Sequence, residues 1–334
     1  MRKDRLVFKT LALLALLSAG AVFAQAQSDR TFVSRAGSDA NPCSKLSPCA
    51  TFAGALAKTN AGGEINAVEP GDYSNGSTLV INKAVTIDGL GVGATLTAQN
   101  FLDAIRVEAG SADTVIIRNL SITGFQEVTA TNPGDNGIRY TSGGALVIQN
   151  CDIHSFEGAG IIAQARSNPT GAATLQAKLA ISDVKVYNNY GFGIYLDGRD
   201  GQPLDFTIDN ARVEANGVNF GNGVGIAAFG FGGDVRGVIR DSTMAGNTTG
   251  IRVEASAGRS SIIHVEDCSV TVNQTGIQAG FLPAGGTTQV FISDTVVQFN
   301  SASGLAATST QITSFGDNKI GPGQGFPGQQ ISRQ

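Results

Sequence analysis

One six-residue pattern recurs seven times along this 334-residue chain: an aliphatic, any residue, Asn or Asp, two more residues, then a second aliphatic. It runs through Ile117-Arg118-Asn119-Leu120-Ser121-Ile122 and Ile148-Gln149-Asn150-Cys151-Asp152-Ile153. It then returns at Asp183, Asn210, Asp241, Asp267 and Asp294. Successive anchors lie 31, 33, 27, 31, 26 and 27 residues apart. A period in this range marks a stacked repeat architecture, in which each unit buries its apolar face only against its neighbours.

The chemistry inside one copy says what the unit is. Leu146 and Ile148 alternate with period two, as do Cys151 and Ile153, which indicates strands. The phase changes at Asn150, so both sets face inward only if the chain bends there. Asn and Asp tolerate the left-handed backbone such a corner needs. Six residues after each of the last five anchors stands another Asn: Asn189, Asn216, Asn247, Asn273 and Asn300. A Gly-Ile or Gly-Leu pair then opens a third strand, from Gly193-Ile194 to Gly304-Leu305, with Gly137-Ile138 and Gly160-Ile161 in earlier copies. Three short strands per turn of roughly 29 residues specify an all-β single-stranded parallel β-helix with strands about 4.8 Å apart. About nine turns fit between Gly62 and Asn318.

The ends are read separately. Residues 1–26 have a basic start (Arg2, Lys3, Arg5), an apolar run from Leu11 and small residues at Ala24 and Ala26, the pattern of an export signal. Cleavage is expected after Ala26, with Ala24 as the alternative, and the protein is expected outside the cytoplasm, periplasmic or extracellular. The apolar run is too short to span a membrane. Residues 27–61 form an N-terminal cap, where Thr51 can cap a short helix over 51–59 that closes the first turn. The β-helix occupies 62–320, and 321–334 form a Gly/Pro/Gln-rich tail. Without residues 1–26 the chain has 19 basic and 26 acidic residues, net −7, the opposite of a nucleic-acid binder.

The stretch Thr31-Phe32-Val33-Ser34, Gly37-Ser38-Asp39, Pro48-Cys49-Ala50-Thr51-Phe52, Gly62-Gly63-Glu64-Ile65 and Pro70-Gly71-Asp72-Tyr73 resembles the amino-terminal cap of secreted right-handed β-helix proteins of the pectate-lyase-like superfamily. With the repeats, the resemblance covers most of residues 31–318. It implies the fold and its right hand. It leaves activity open, since that superfamily holds lyases, hydrolases, epimerases, tailspikes and proteins without known catalysis.

Of four cysteines, Cys43 and Cys49 lie in a Pro-flanked loop and are expected to form a disulfide in an exported protein; a zinc site is the poorer alternative, with no His beside them. Cys151 and Cys268 occupy equivalent slots four turns apart, roughly 19 Å, too far for a bridge and expected to be buried thiols.

The resemblance implies that a ligand would lie along the third strands and their loops. With the isoleucines inward, the outward residues there are Arg139, Tyr195, Asp197, Phe229, Arg252 and Glu254; the loops add Arg199, Asp200, Phe231, Arg236, Arg259 and Phe281. Aromatics, acids and arginines on a flat groove suit an extracellular polysaccharide, and the alternative is an ordinary solvated sheet face. No Asp-Asp or Gly-His-Gly, the hydrolase signature of this superfamily, occurs in the chain. His154 and His264 fall on different strands and are expected as surface residues. No cofactor is indicated. Calcium would be the ion of a lyase, but only Asp197 and Glu254 stand in the outward column to hold it. The reading is a non-catalytic β-helix with a glycan-binding or structural role. The alternative is a polysaccharide lyase or glycoside hydrolase, with Asp197 and Glu254, about 9.6 Å apart by stacking, as its carboxylates.

Overall fold

A computed structural model describes residues 27–124, 133–165, 177–217, 223–281, 285–307, 311–325 and 329–330. The expected export signal, residues 1–26, lies outside the described residues. The described chain winds into a parallel β-helix with three sheets of 12, 10 and 9 strands, each sheet taking one strand from every turn. Ten strands of the first sheet, from Thr59–Ala67 to Ile312–Ser314, enclose nine full turns. Ser28–Val33 adds a parallel strand at one end of this sheet and Gln329–Gln330 one at the other.

The anchors set the first corner. Asn119, Asn150, Asp183, Asn210, Asp241, Asp267 and Asp294 all take left-handed backbone, φ between 46° and 60°. Their side chains also bond from turn to turn: Asn150 Nδ2 donates to Asn119 Oδ1 and Asn210 Nδ2 to Asp183 Oδ1, both at 2.7 Å. The alternating aliphatics on either side point inward, and Ile208, Val213 and Ile239 are wholly buried.

At the second corner the five asparagines form the expected ladder. Asn189 Nδ2 donates to Asn216 Oδ1 at 2.9 Å, Asn216 to Asn247 at 3.1 Å, Asn247 to Asn273 at 3.2 Å and Asn273 to Asn300 at 3.1 Å. Each oxygen accepts a backbone N–H from the preceding turn as well, as Asn273 Oδ1 does from Asn247 N at 3.0 Å. Gln324, from the tail, ends the column by offering its Oε1 to Asn300 N at 3.2 Å. The recurring glycine follows from this packing. A Cβ at Gly193 would stand 2.9 Å from Asn216 Nδ2 and 2.6 Å from the Gly225 carbonyl, so no larger residue fits.

The left-handed residue of this corner is the one before the ladder asparagine, a position the repeat pattern does not reveal. Asn188, Ala215, Val272 and Phe299 take φ of 52–60° there, and Gly246 takes 67°. A β-branched residue in this region is strained. The ladder bonds on the next residue hold Val272 in place against that strain.

The lid is as expected: a helix over Phe52–Lys58, whose Gly54 N–H donates to the Thr51 side chain, with Phe52, Ala55 and Leu56 turned into the first turn. Cys43 and Cys49 are disulfide-bonded. Cys151 and Cys268 are free and buried, and burial pushes both thiols up to about 12.

Two outcomes test this account by urea unfolding. Asn247→Ala removes a bond to the Val213 carbonyl, two to the side chains of neighbouring asparagines and one from the Asn216 backbone N–H, and is expected to cost about 1–3 kcal/mol. Val272→Gly relieves left-handed strain at a residue 63% exposed and is expected to gain roughly 0.5–1 kcal/mol; a loss would mean that the valine side chain contributes packing there.

Candidate functional site: the outer face of the third sheet

The third sheet stacks nine strands, from Leu79–Ile81 through Ile105–Glu108, Ile138–Ser142, Ala159–Ala165, Phe192–Gly198, Val224–Gly230, Thr249–Ala255 and Thr275–Ala279 to Ser303–Ala307. Register aligns Arg106, Arg139, Ile162, Tyr195, Ala227, Arg252 and Gln278 in one outward column. Two residues further along the strands, Gln164, Asp197, Phe229 and Glu254 form a second. Both columns lie on the side the alternation assigns them.

Outward does not mean exposed here. Asp197 and Glu254 have no solvent-accessible surface and Phe229 retains only 5%, which corrects the expectation of an open carboxylate pair. Each acid lies beneath an arginine: Arg199 Nε reaches Asp197 Oδ2 at 2.5 Å, and Arg252 Nε reaches Glu254 Oε1 at 3.0 Å. The second oxygen of each, Asp197 Oδ1 and Glu254 Oε2, has no protein partner. Burial pushes the Asp197 carboxyl up, and Arg199 and the Phe231 backbone N–H only partly offset this. In this arrangement each carboxylate is engaged by its own arginine and presents no surface of its own.

Beside these pairs lies an aromatic cluster, of which Phe231 is exposed, Phe192 and Tyr195 are partly buried and Phe229 is buried. Phe192, Tyr195 and Phe229 pack edge to face, with centroids 4.9 Å and 5.4 Å apart along the chain Phe192–Tyr195–Phe229. Phe231 stacks on Phe229 at 4.8 Å with its own ring 39% exposed, and Arg252 lies over Phe229 at 5.7 Å.

Toward the N-terminal turns the face opens into a cleft of about 390 Å³ lined by Phe101, Asp103, Arg106, Glu108, Asp135 and Arg139, among others. Of these residues only Arg139 was legible from the repeat. The segment before Ile105 and the one before Ile138 stack as adjoining turns, Asp135 N bonding to Leu102 O and Ala104 N to Asn136 O. This brings Asp103 under Arg139 Nε (2.9 Å), Arg106 Nε (3.3 Å) and Asn136 Nδ2 (2.9 Å). Arg139 Nη2 also holds Asp135 at 3.1 Å, and Arg106 Nη1 lies 3.5 Å from Glu108. Partial burial, and then the charge of Asp103, push the Asp135 carboxyl up. Gln164 joins cleft to patch: its amide oxygen lies 3.4 Å from Arg139 Nη1 or, with the amide turned, 2.9 Å from Arg199 Nη2.

The remaining expected residues fall elsewhere. Asp200 forms the tip of a polar turn, exposed, with φ of 55°. Arg236 belongs to the first-sheet strand Val235–Arg240, where it pairs with Asp205 at 3.3 Å, because its loop is too short to return it to the third face. Arg259 closes the turn from Ser256 that leads into the first sheet, and Phe281, 43% exposed, follows the strand Thr275–Ala279. His154 stacks on Tyr187 and His264 on Phe291, on the second and first sheets, so they form no pair. Among the described residues no group of three or more His, Cys, Asp or Glu side chains is placed to hold a metal ion, and no helix is long and apolar enough to cross a membrane.

Replacing Asp197 by Asn tests the buried pair. The folded pKa lies above the unfolded value of about 4, so the native chain keeps this proton longer. Stability from this group is therefore full below about pH 4 and declines as pH rises through the folded pKa. The wild type is expected to lose stability relative to Asp197→Asn across that window in urea unfolding; a parallel pH course for both proteins would show that Asp197 is not destabilised by burial.

Comparison with known proteins agrees with the fold. The family model described as "Right handed beta helix region" matches residues 72–235 and 171–325. The pectate lyase Pel9A has a similar structure, with a TM-score of 0.55 and 15% identity over 86% of this chain and 78% of that one. An alginate lyase from Paenibacillus (TM-score 0.48, 13% identity, 85% and 97% covered) is a more distant likeness. The mannuronan C-5 epimerase AlgE4 A-module from Azotobacter vinelandii (0.46, 16%, 82% and 89%) is another. No curated protein matches the sequence.

Proposed function

This chain belongs to the right-handed β-helix family, and we propose that it is an exported, non-catalytic member that binds a glycan along the outer face of its third sheet. The observation that carries the reading is the aromatic patch of exposed Phe231 and partly buried Phe192 and Tyr195, packed on the buried Phe229. It continues through Gln164 into the cleft at Arg106 and Arg139. Aromatic rings offer sugar rings broad apolar contact, while the cleft supplies donors and acceptors for hydroxyls. The cleft and patch together span five strand spacings, from Ile105–Glu108 to Thr249–Ala255, or about 24 Å, the length of a short oligosaccharide. That the similar fold of Pel9A belongs to a pectate lyase supports a glycan over other ligands. The Cys43–Cys49 disulfide supports export, periplasmic or extracellular, as does the character of residues 1–26.

The two buried carboxylates, each engaged by its own arginine, support the absence of catalysis. A second reading, glycan cleavage in the cleft, has one observation in its favour. Asp135 is a partly buried carboxyl whose affinity for its proton is raised, as a general acid requires.

Affinity electrophoresis against a panel of polysaccharides, with parallel assays for reducing ends and unsaturated products, separates these readings. The wild type is expected to be retarded by at least one polysaccharide without releasing product. Phe231→Ala, at an exposed ring, is expected to weaken that retardation about fivefold or more, a loss of about 1 kcal/mol. Product release abolished by Asp135→Asn would establish the cleavage reading instead.

A further inference from the structure

We infer that the third-sheet face selects uncharged glycans and rejects polyuronates, an inference that rests on the glycan-binding reading above. The nine strands contain no lysine, and their arginines are Arg106, Arg139 and Arg252, with Arg199 directly after the strand Phe192–Gly198. All four are engaged by the protein's own carboxylates. Arg106 pairs with Asp103 and Glu108, Arg139 with Asp103 and Asp135, Arg199 with Asp197, and Arg252 with Glu254. Four arginines against five carboxylates leave the face at net −1, within a chain of formal net charge −4.

Two physical consequences follow. At long range the face presents no positive field to draw in a polyanion, and the surrounding chain repels one. At short range, a uronate carboxylate meets in Arg199 and Arg252 guanidinium groups whose charge Asp197 and Glu254 already offset, and it gains a full, unshared ion pair only by displacing one of those acids. Both acids are wholly buried, and burial leaves a displaced carboxylate with neither water nor another cation. The arginines therefore act as lids over internal acids. Their remaining N–H donors, and the outer carboxylates Glu108 and Asp135, suit hydroxyl groups. The exposed Phe231 ring and its partners supply contact that needs no charge.

Affinity electrophoresis at low salt without divalent cations tests the inference, with galactan, xylan and glucomannan as neutral gels and polygalacturonate and alginate as anionic ones. The wild type is expected to be retarded by a neutral gel at least about tenfold more strongly than by either polyuronate. The double variant Glu108→Gln/Asp135→Asn removes the two half-exposed acids, moves the face from −1 to +1, and is expected to gain retardation by polyuronates. Circular dichroism establishes that it folds. Wild-type retardation by a polyuronate equal to or above that by the neutral gels overturns the inference and leaves the glycan-binding face intact. A folded double variant with no gain also overturns it, since charge would then not be the cause. Retardation by no gel at all removes the glycan reading and this inference together.

Discussion

Register in this molecule is held by amide side chains stacked at its corners. A parallel strand pair can slip, and a slip by one residue would turn every core aliphatic outward. The column from Asn189 to Asn300 prevents this, because each asparagine bonds both to the side chain of the next turn and to its own neighbours' backbone. Buried amides left unpaired are costly, so only one stacking offset satisfies the column. The glycines that follow are tied to the same column, since a Cβ there would strike the next asparagine. Strain at Val272 and Phe299, both left-handed and exposed, is tolerated for the same reason.

With register fixed, the outer face inherits a lattice of positions about 4.8 Å apart. Nearest neighbours across strands then decide chemistry. Phe229 stands between Asp197 and Glu254 in one column, with Tyr195, Ala227 and Arg252 beside them. This interleaving of apolar rings with charged groups drives the acids out of water and leaves each to the single arginine two residues away in sequence. The arrangement underlies the proposed contact with broad, uncharged surfaces. Its charges are spent on one another.

The cleft has a different origin. It is formed where two irregular segments, ahead of Ile105 and Ile138, stack in place of regular corners. Asp103 takes three donors, Arg106 from its own turn and Asn136 and Arg139 from the next, and Asp135 is brought beside it with its proton affinity raised. Irregular turns are where such a fold can vary without disturbing its ladders, because the stacked corners carry the register.

The sequence by itself determined the repeat, the three-strand turn, the left-handed corners at Asn119 through Asp294, the asparagine ladder, the lid helix and the Cys43–Cys49 pair. These depend on residues whose spacing recurs or whose partners lie close in the chain, so a linear reading reaches them. It also placed Tyr195, Asp197, Phe229 and Glu254 on the outer side, since period two separates inside from outside. Only the tertiary structure decided that Asp197 and Glu254 are buried. Alternation says which way a side chain points and nothing about what folds over it, and the covering groups are arginine side chains and the backbone at Phe231. The same limit hid Asp103, Arg106 and Asp135. Their meeting depends on how two irregular segments stack some 30 residues apart, which no local period encodes.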